Sequence, residues 1–354
     1  MNPVERAVRR VDAVQRRHTP AAFVVGVVKK YGDDHGGVLV ANLAFSAFIS
    51  LFPLLLILTT VLGLIAALNP AFRNDALKAV GDQFPVIGQQ LTGNVHALQR
   101  SSVIGLIVGV AGLIWGATGL AQAGLFTMEQ VWNLPGPDRP GFVQRLGRAA
   151  EFLVLLGVGV LATTLVAGLN NYTSSAAIFI ALAEVAAAAV NVGMYAAAFR
   201  LLTPGSVPTR KLLPGAVAGG VAWTLLQFLG TYLIRHFLHS DSAYTIFATV
   251  LALVAWINLA VQLTVYAAEV NVVLARRLWP RSIVQPPLTE ADRASMALQA
   301  LQNQRREGER VQVSFDDRER ETGAPAGTPR TLGEVAAPAR AEIPLQRGGP
   351  GAAG

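Results

Sequence analysis

Six long apolar stretches, nearly free of charge, constrain this chain more than any other feature. Asn42 to Asn69 contains no Asp, Glu, Lys, Arg or His, and neither does Val103 to Met128. A bilayer core about 30 Å thick needs roughly 20 such residues as a helix, and a soluble domain rarely supplies even one. The spans read at 38–68, 103–127, 151–170, 176–199, 212–235 and 243–275. The expected fold is therefore all-α: a polytopic membrane protein with six transmembrane helices in one bundle.

The rest of the composition fits that class. Of 354 residues 52% are apolar and 14% charged, far from soluble averages. The net charge of +7 reads as the excess of Lys and Arg on the cytoplasmic side of a membrane protein, so no nucleic-acid partner is expected. The chain has no cysteine, which excludes disulfides, cysteine nucleophiles and thiolate metal sites. The first apolar run begins near Val38, behind a basic segment too long for a signal n-region, so that span is expected to stay as an anchor.

Counting Lys and Arg outside the spans sets orientation. Arg6, Arg9, Arg10, Arg16, Arg17, Lys29 and Lys30 precede the first span, and Arg139, Arg145 and Arg148 lie between the second and third. Arg200, Arg210 and Lys211 flank the fourth-to-fifth connection, and Arg276, Arg277 and Arg281 open the C-terminal tail. The opposite side has only Arg73, Lys78, Arg100 and Arg235. Both termini are thus expected in the cytoplasm of a plasma (inner) membrane protein. Residues 1–37 form a basic cytoplasmic segment in which 20–31 is amphipathic and expected along the inner surface. Residues 38–280 form the transmembrane domain. The tail, 281–354, is rich in Arg, Glu, Gln, Gly and Pro and is expected to be disordered, with room for a short helix at 289–306.

Pro53 removes a backbone donor inside the first span and should kink it. Residues 171–175 are short and uncharged, so the third and fourth spans form a tight hairpin. The outer 69–102 loop carries an amphipathic stretch at 76–84. In the second span Gly105, Gly109, Gly112, Gly116, Gly119 and Ala123 recur at spacings of four and three. Small residues on one stripe let two backbones approach in lipid, so a packing seam is expected there, with a glycine-lined permeation path as the alternative.

Polar residues also fall in stripes: Asn42, Ser46 and Ser50 in the first span, Glu184, Asn191 and Tyr195 in the fourth, Thr224, Gln227 and Thr231 in the fifth, and Asn258, Gln262 and Glu269 in the sixth. Amides and carboxylates are costly against lipid, so these faces should turn inward. They form either a polar seam with a cavity or interhelical hydrogen bonds alone. Glu184 has no nearby Lys or Arg in its own helix and is the leading functional candidate, as a proton- or cation-binding acid. Glu269 precedes Arg276 and Arg277 and is expected to anchor near the inner end. His236, His239 and Asp241 could meet a metal at a helix end, although interfacial polar residues explain them, and no metal or cofactor is expected. There is no phosphate-binding loop, zinc helix or nucleophile elbow. Paired acids for a two-metal nuclease are absent from the basic loops.

Four motifs in order carry a family resemblance. They are Ala41-Asn42-Leu43-Ala44-Phe45-Ser46 running to Ser50-Leu51-Phe52-Pro53; Ile114-Trp115-Gly116-Ala117 with Val131-Trp132 beyond it; Phe199-Arg200-Leu201-Leu202-Thr203-Pro204 through Leu213-Pro214-Gly215-Ala216; and Leu253-Val254-Ala255-Trp256-Ile257 through Ala268-Glu269-Val270-Asn271. Over roughly 20–280 the chain resembles the YihY/virulence factor BrkB family, long misnamed as ribonuclease BN. The chain departs from the family's usual pattern at Tyr244-Thr245 and Ala267-Ala268. The resemblance implies six spans with both termini inside, no established catalytic residues, and loose links to virulence, envelope integrity and lipid transport. The expected function is transport, or lipid and small-solute handling, without catalysis. An envelope scaffold is the alternative, with a membrane-embedded hydrolase behind it. Membrane lipids are the expected partners, with proteins reaching the tail as a further class.

Overall fold

The computed structural model describes residues 3–51, 103–170, 177–203, 205, 207–237, 244–306 and 308–315. Among them the fold is all-helical, with no strand. Helices α1 (Pro3–Arg17) and α2 (Thr19–Asp33) lead into α3 (Gly36–Leu51). Then come α4 (Val103–Val131), α5 (Phe142–Asn170), α6 (Ala177–Leu202), α7 (Leu213–Phe237), α8 (Tyr244–Arg276) and α9 (Glu290–Gln302). Short 3-10 turns stand at Gly136–Asp138 and Thr209–Lys211.

Four of these helices are long and apolar enough to cross a membrane, through Val110–Val131, Val185–Leu202, Leu213–Gly230 and Val250–Arg276. A fifth crossing results if α2 and α3, bent by 69° at their junction, count as one. The later part of the expected first span, with Pro53, and the 69–102 loop lie outside the described residues. Over the expected third span α5 is helical throughout, but it begins earlier, at Phe142. Its first turns are polar and held at α4, where Arg145 donates to both Glu129 carboxylate oxygens at 2.7 and 2.9 Å.

Helices α5, α6, α7 and α8 each pack on the next, α4 lies against α5, α6 and α8, and α2 runs along α8. The core is built from Leu125, Val131, Phe199, Ala216, Val265 and Val272, all nearly inaccessible. Val154, Leu225, Leu251 and Val254 point outward and are exposed. That inversion of the soluble pattern is what a hydrocarbon solvent permits.

Among the described residues, α7 carries glycines that lie against the backbones of two neighbouring helices. A Cβ on Gly220 would stand 2.7 Å from the Val192 backbone nitrogen of α6, and one on Gly219 would stand 2.7 Å from the Tyr195 ring. Gly215 would strike the Ala267 backbone of α8. The Gly215 amide, one of the four unsatisfied donors at the α7 start, donates to Asn271 Oδ1 at 2.6 Å. Helices α4 and α8 stop at left-handed residues. Asn133 (φ 47°) follows α4 and Arg277 (φ 54°) follows α8. In each case the next amide reaches back five residues, Leu134 to the Glu129 carbonyl at 3.0 Å and Leu278 to the Val273 carbonyl at 3.1 Å, a standard helix stop.

Two expectations change here. The 20–31 segment does not simply lie on a surface. Ala22, Gly26, Val27 and Lys30 form a buried stripe against α8, and a Cβ on Gly26 would come within 3.0 Å of the Leu278 carbonyl. The tail is not irregular from 281, and the short helix allowed at 289–306 is present as α9. Thr289 and Asp292 form a capping box that starts α9, and Ala291, Ser295 and Leu298 are buried. The segment 278–304 is a strap across α1, α2 and the end of α4. Residues 316–354 lie outside the described residues.

Candidate functional site: a buried charge cluster

α2 carries Lys30 into the bundle beside α8, where Tyr31 stacks on Tyr266 with ring centroids 4.3 Å apart. Lys30 is fully buried. Its ammonium bonds the Asp34 carboxylate, donates to the Val131 carbonyl at 3.1 Å and stands 3.7 Å from Glu269. The carbonyl belongs to the last turn of α4, a place that favours a cation. Asp34 also accepts from Asn133 Nδ2 at 3.0 Å, and Asn133 donates in turn to Gln302 of α9 at 3.0 Å.

Glu269 is the odd member. It is fully buried, and neither of its oxygens has a hydrogen-bond partner. Its surroundings are the Lys30 ammonium and the Asp34 carboxylate. With both acids ionised, two carboxylates share one ammonium and the cluster carries one uncompensated negative charge. A buried charge without a partner is expensive. Such a group can take up a proton or a small cation, or let Lys30 move between two acids.

A second polar group lies deeper. Asn191 donates to Thr224 Oγ1 at 3.1 Å and to Gln227 at 3.5 Å, joining α6 to α7. The Tyr195 hydroxyl and Thr264 Oγ1 are 3.0 Å apart, joining α6 to α8. Gln262 bonds the Tyr31 hydroxyl.

Over the cluster sits the strap. Arg281 is buried, with Nη1 on Asp33 at 2.5 Å and Nε on Asp292 at 2.9 Å. Burial alone would raise the Asp292 carboxyl. The hydrogen bonds from Thr289, Arg281 and the Ser282 amide outweigh it and hold Asp292 below its ordinary value. Asp12 on α1 is likewise held down, against its burial, by the Ile283 amide, Arg16 and Gln15.

The sequence model described as virulence factor BrkB matches residues 27–289. The chain belongs to the virulence factor BrkB family. No curated protein and no solved structure matches it. The matched region holds every residue of the charge cluster except Gln302, and within it the stretch Ala268-Glu269-Val270-Asn271 supplies both Glu269 and the Asn271 that caps α7.

The sequence-derived candidates of this BrkB-family chain separate in the structure. Asn191, Tyr195, Gln227, Gln262 and Glu269 all meet polar or charged groups on other helices. Asn42 and Asn258 are exposed and Ser46 is half-buried. Ser50 is buried but bonds the Ala47 carbonyl of its own helix at 2.8 Å. The Glu184 and His236 side chains, His239 and Asp241 lie outside the described residues. Glu269 is not an anchor at the helix end, because Lys30 meets it inside the bundle.

On α4, Gly116 and Ala123 are buried, Gly112 is half-buried, and the surroundings of Gly105 and Gly109 are not described. Gly119 is exposed, with nothing within 4 Å of a Cβ placed there. The face that α4 buries runs instead through Ala117, Ala121, Gly124, Leu125 and Met128, and the glycine stripe stands at its edge. A groove of about 530 Å³ lies elsewhere, on the surface formed by Ala150, Glu151, Val154, Leu155, Val158 and Leu201.

Sequence reasoning passed over Lys30, Asp34, Asn133 and Asn271. Lys30 was available as a signal: it shares a helical stripe with Ala22, Gly26 and Val27, where a purely interfacial helix would keep its cation on the polar side.

Proposed function

We propose that this protein moves or handles a small solute or lipid in the plasma membrane, along the polar groups of α2, α6, α7 and α8, without catalysing a covalent reaction. We take it to have six spans, with the basic end of the bundle and both termini in the cytoplasm. The observation that supports this is Glu269: fully buried, flanked by Lys30 and Asp34, and without a hydrogen bond to either oxygen. A bundle needing only glue gains nothing from a buried acid left without a hydrogen bond, whereas a pathway can use one to take up and release a proton or small cation.

The test is reconstitution into proteoliposomes, with ion conductance and fluorescent-lipid scrambling measured on one preparation. Activity in either assay should fall at least tenfold in Glu269→Gln and stay unchanged in Glu151→Gln, which alters an exposed acid on α5. Silence in both assays, with proteins captured by the C-terminal tail, would instead support the scaffold reading.

A further inference from the structure

Helix α1 is inverted relative to an ordinary surface helix. Its polar face is the docked one. Gln15 donates to the Arg281 carbonyl at 2.8 Å and Asp12 accepts from the Ile283 amide at 2.8 Å. Glu5 pairs with Arg9 and Asp12 with Arg16 along the same side. The outward face carries Val4, Val11 and Val14, which are 66, 59 and 56% exposed. Their spacings of seven and three put them on one stripe. Arg6, Arg10 and Arg17, all exposed, form a second stripe beside it. No ion pair engages these three among the described residues.

An exposed valine stripe flanked by arginines outside any ion pair, on a chain with four helices long and apolar enough to cross a membrane, is the pattern of a helix lying in the plane of a bilayer surface. We propose that α1 rests on the leaflet at the basic end of the bundle, with Val4, Val11 and Val14 at the acyl boundary. Arg6, Arg10 and Arg17 lie on the phosphates of anionic phospholipids. The docked polar face fixes the roll of the helix, so the valines meet lipid without an induced rearrangement. Charge selects this occupant over a second copy of the chain. A two-fold contact would set the same basic stripe against itself. The inference goes beyond the transport reading and does not depend on it.

The cysteine-free sequence allows a single label on the full-length protein. Val11→Cys and, separately, Val14→Cys carry an environment-sensitive fluorophore, and Asn303→Cys, exposed beyond α9, is the aqueous reference. Each is reconstituted in phosphatidylcholine vesicles with or without phosphatidylglycerol. In anionic vesicles the α1 labels should be quenched by nitroxide lipids and shielded from iodide, with the reverse at Asn303. Replacing Arg6, Arg10 and Arg17 by Gln should weaken surface partitioning about fivefold per arginine, with iodide access restored. The proposal is overturned if both α1 labels remain open to iodide in either vesicle, or if their shielding appears only as protein density is raised, which would assign the face to a second copy.

Discussion

Lys30→Met tests the energetics of the buried cluster most directly. The Lys30 ammonium is shared by Asp34, the Val131 carbonyl at 3.1 Å and Glu269 at 3.7 Å, and all three side chains are nearly inaccessible. Methionine fills a similar volume without the charge. Two carboxylates are then left with no counter-ion, Asp34 retaining only the Asn133 amide. Breaking a buried pair from one side costs about 3–5 kcal/mol. At about 1.4 kcal/mol per factor of ten, that lowers the folded-to-unfolded ratio roughly 100- to 4,000-fold. Glu269→Gln acts oppositely, because it removes the surplus charge and leaves Lys30 and Asp34 balanced. Its cost should stay near the about 1 kcal/mol of an ordinary hydrogen-bond change. In the double variant only one carboxylate is unpaired, so its cost should fall short of the sum by at least about 1 kcal/mol. The assay is equilibrium unfolding in mixed micelles, titrated with SDS and followed by circular dichroism. A Lys30→Met protein within about 1 kcal/mol of the parent, or strictly additive single and double variants, would refute the shared-ammonium account.

Gly220→Ala should cost about 1–3 kcal/mol in the same titration, because the added carbon would meet Val192 backbone at 2.7 Å. Gly119→Ala, with open space around it, should be neutral or gain up to about 1 kcal/mol of helix propensity; equal effects at the two sites would refute the placement of the tight contact on α7. The strap should respond to acid. Asp292 is depressed in the folded state, so its contribution is present above the unfolded value of about 3.9 and is lost as pH falls through the folded value. Amide protection across 278–302, corrected for the intrinsic exchange rate at each pH, should therefore fall below about pH 4 while α7 and α8 stay protected. Corrected protection there that is unchanged between neutral and acid pH would contradict this.

Much of the fold was legible because hydrocarbon imposes one pattern on every crossing. Both ends of α4, α7 and α8, and the stop of α6, follow from where charge and proline return to the sequence. Partner choice was not legible. Asn191 and Gln227 are visibly polar residues in apolar helices, so their inward direction could be argued, but nothing in the period of α6 says that α7 lies opposite. The α4 glycines show a related limit. A stripe of small residues permits a close approach without requiring one: Gly119 of α4 meets nothing within 4 Å, whereas at Gly215, Gly219 and Gly220 of α7 two neighbours press from different sides. Lys30 was hidden by its company: beside Lys29 and a run of arginines it reads as one more cytoplasmic charge. Only its stripe-mates on α2 distinguish it.

The placement of Asp33 and Asp34 ties the strap to the cluster. Adjacent residues at a helix end point in different directions, and these two serve different masters. Asp33 accepts from Arg281 and Ser295 of the strap, and its carbonyl accepts from Gln299 at 2.7 Å. Asp34 holds Lys30 and Asn133. One peptide bond thus joins the group that docks the C-terminal segment to the group that balances Glu269. Gln302 reaches the same cluster from the other side through Asn133. Release of the strap would remove the partners of Asp33 and the Gln302 acceptor of Asn133, while Lys30 keeps Asp34, the Val131 carbonyl and Glu269. The C-terminal segment therefore borders the buried site, although Asp33 and Arg281 are separated by 248 positions in the sequence. A coupling of that kind is local and electrostatic, and needs no distant conformational relay.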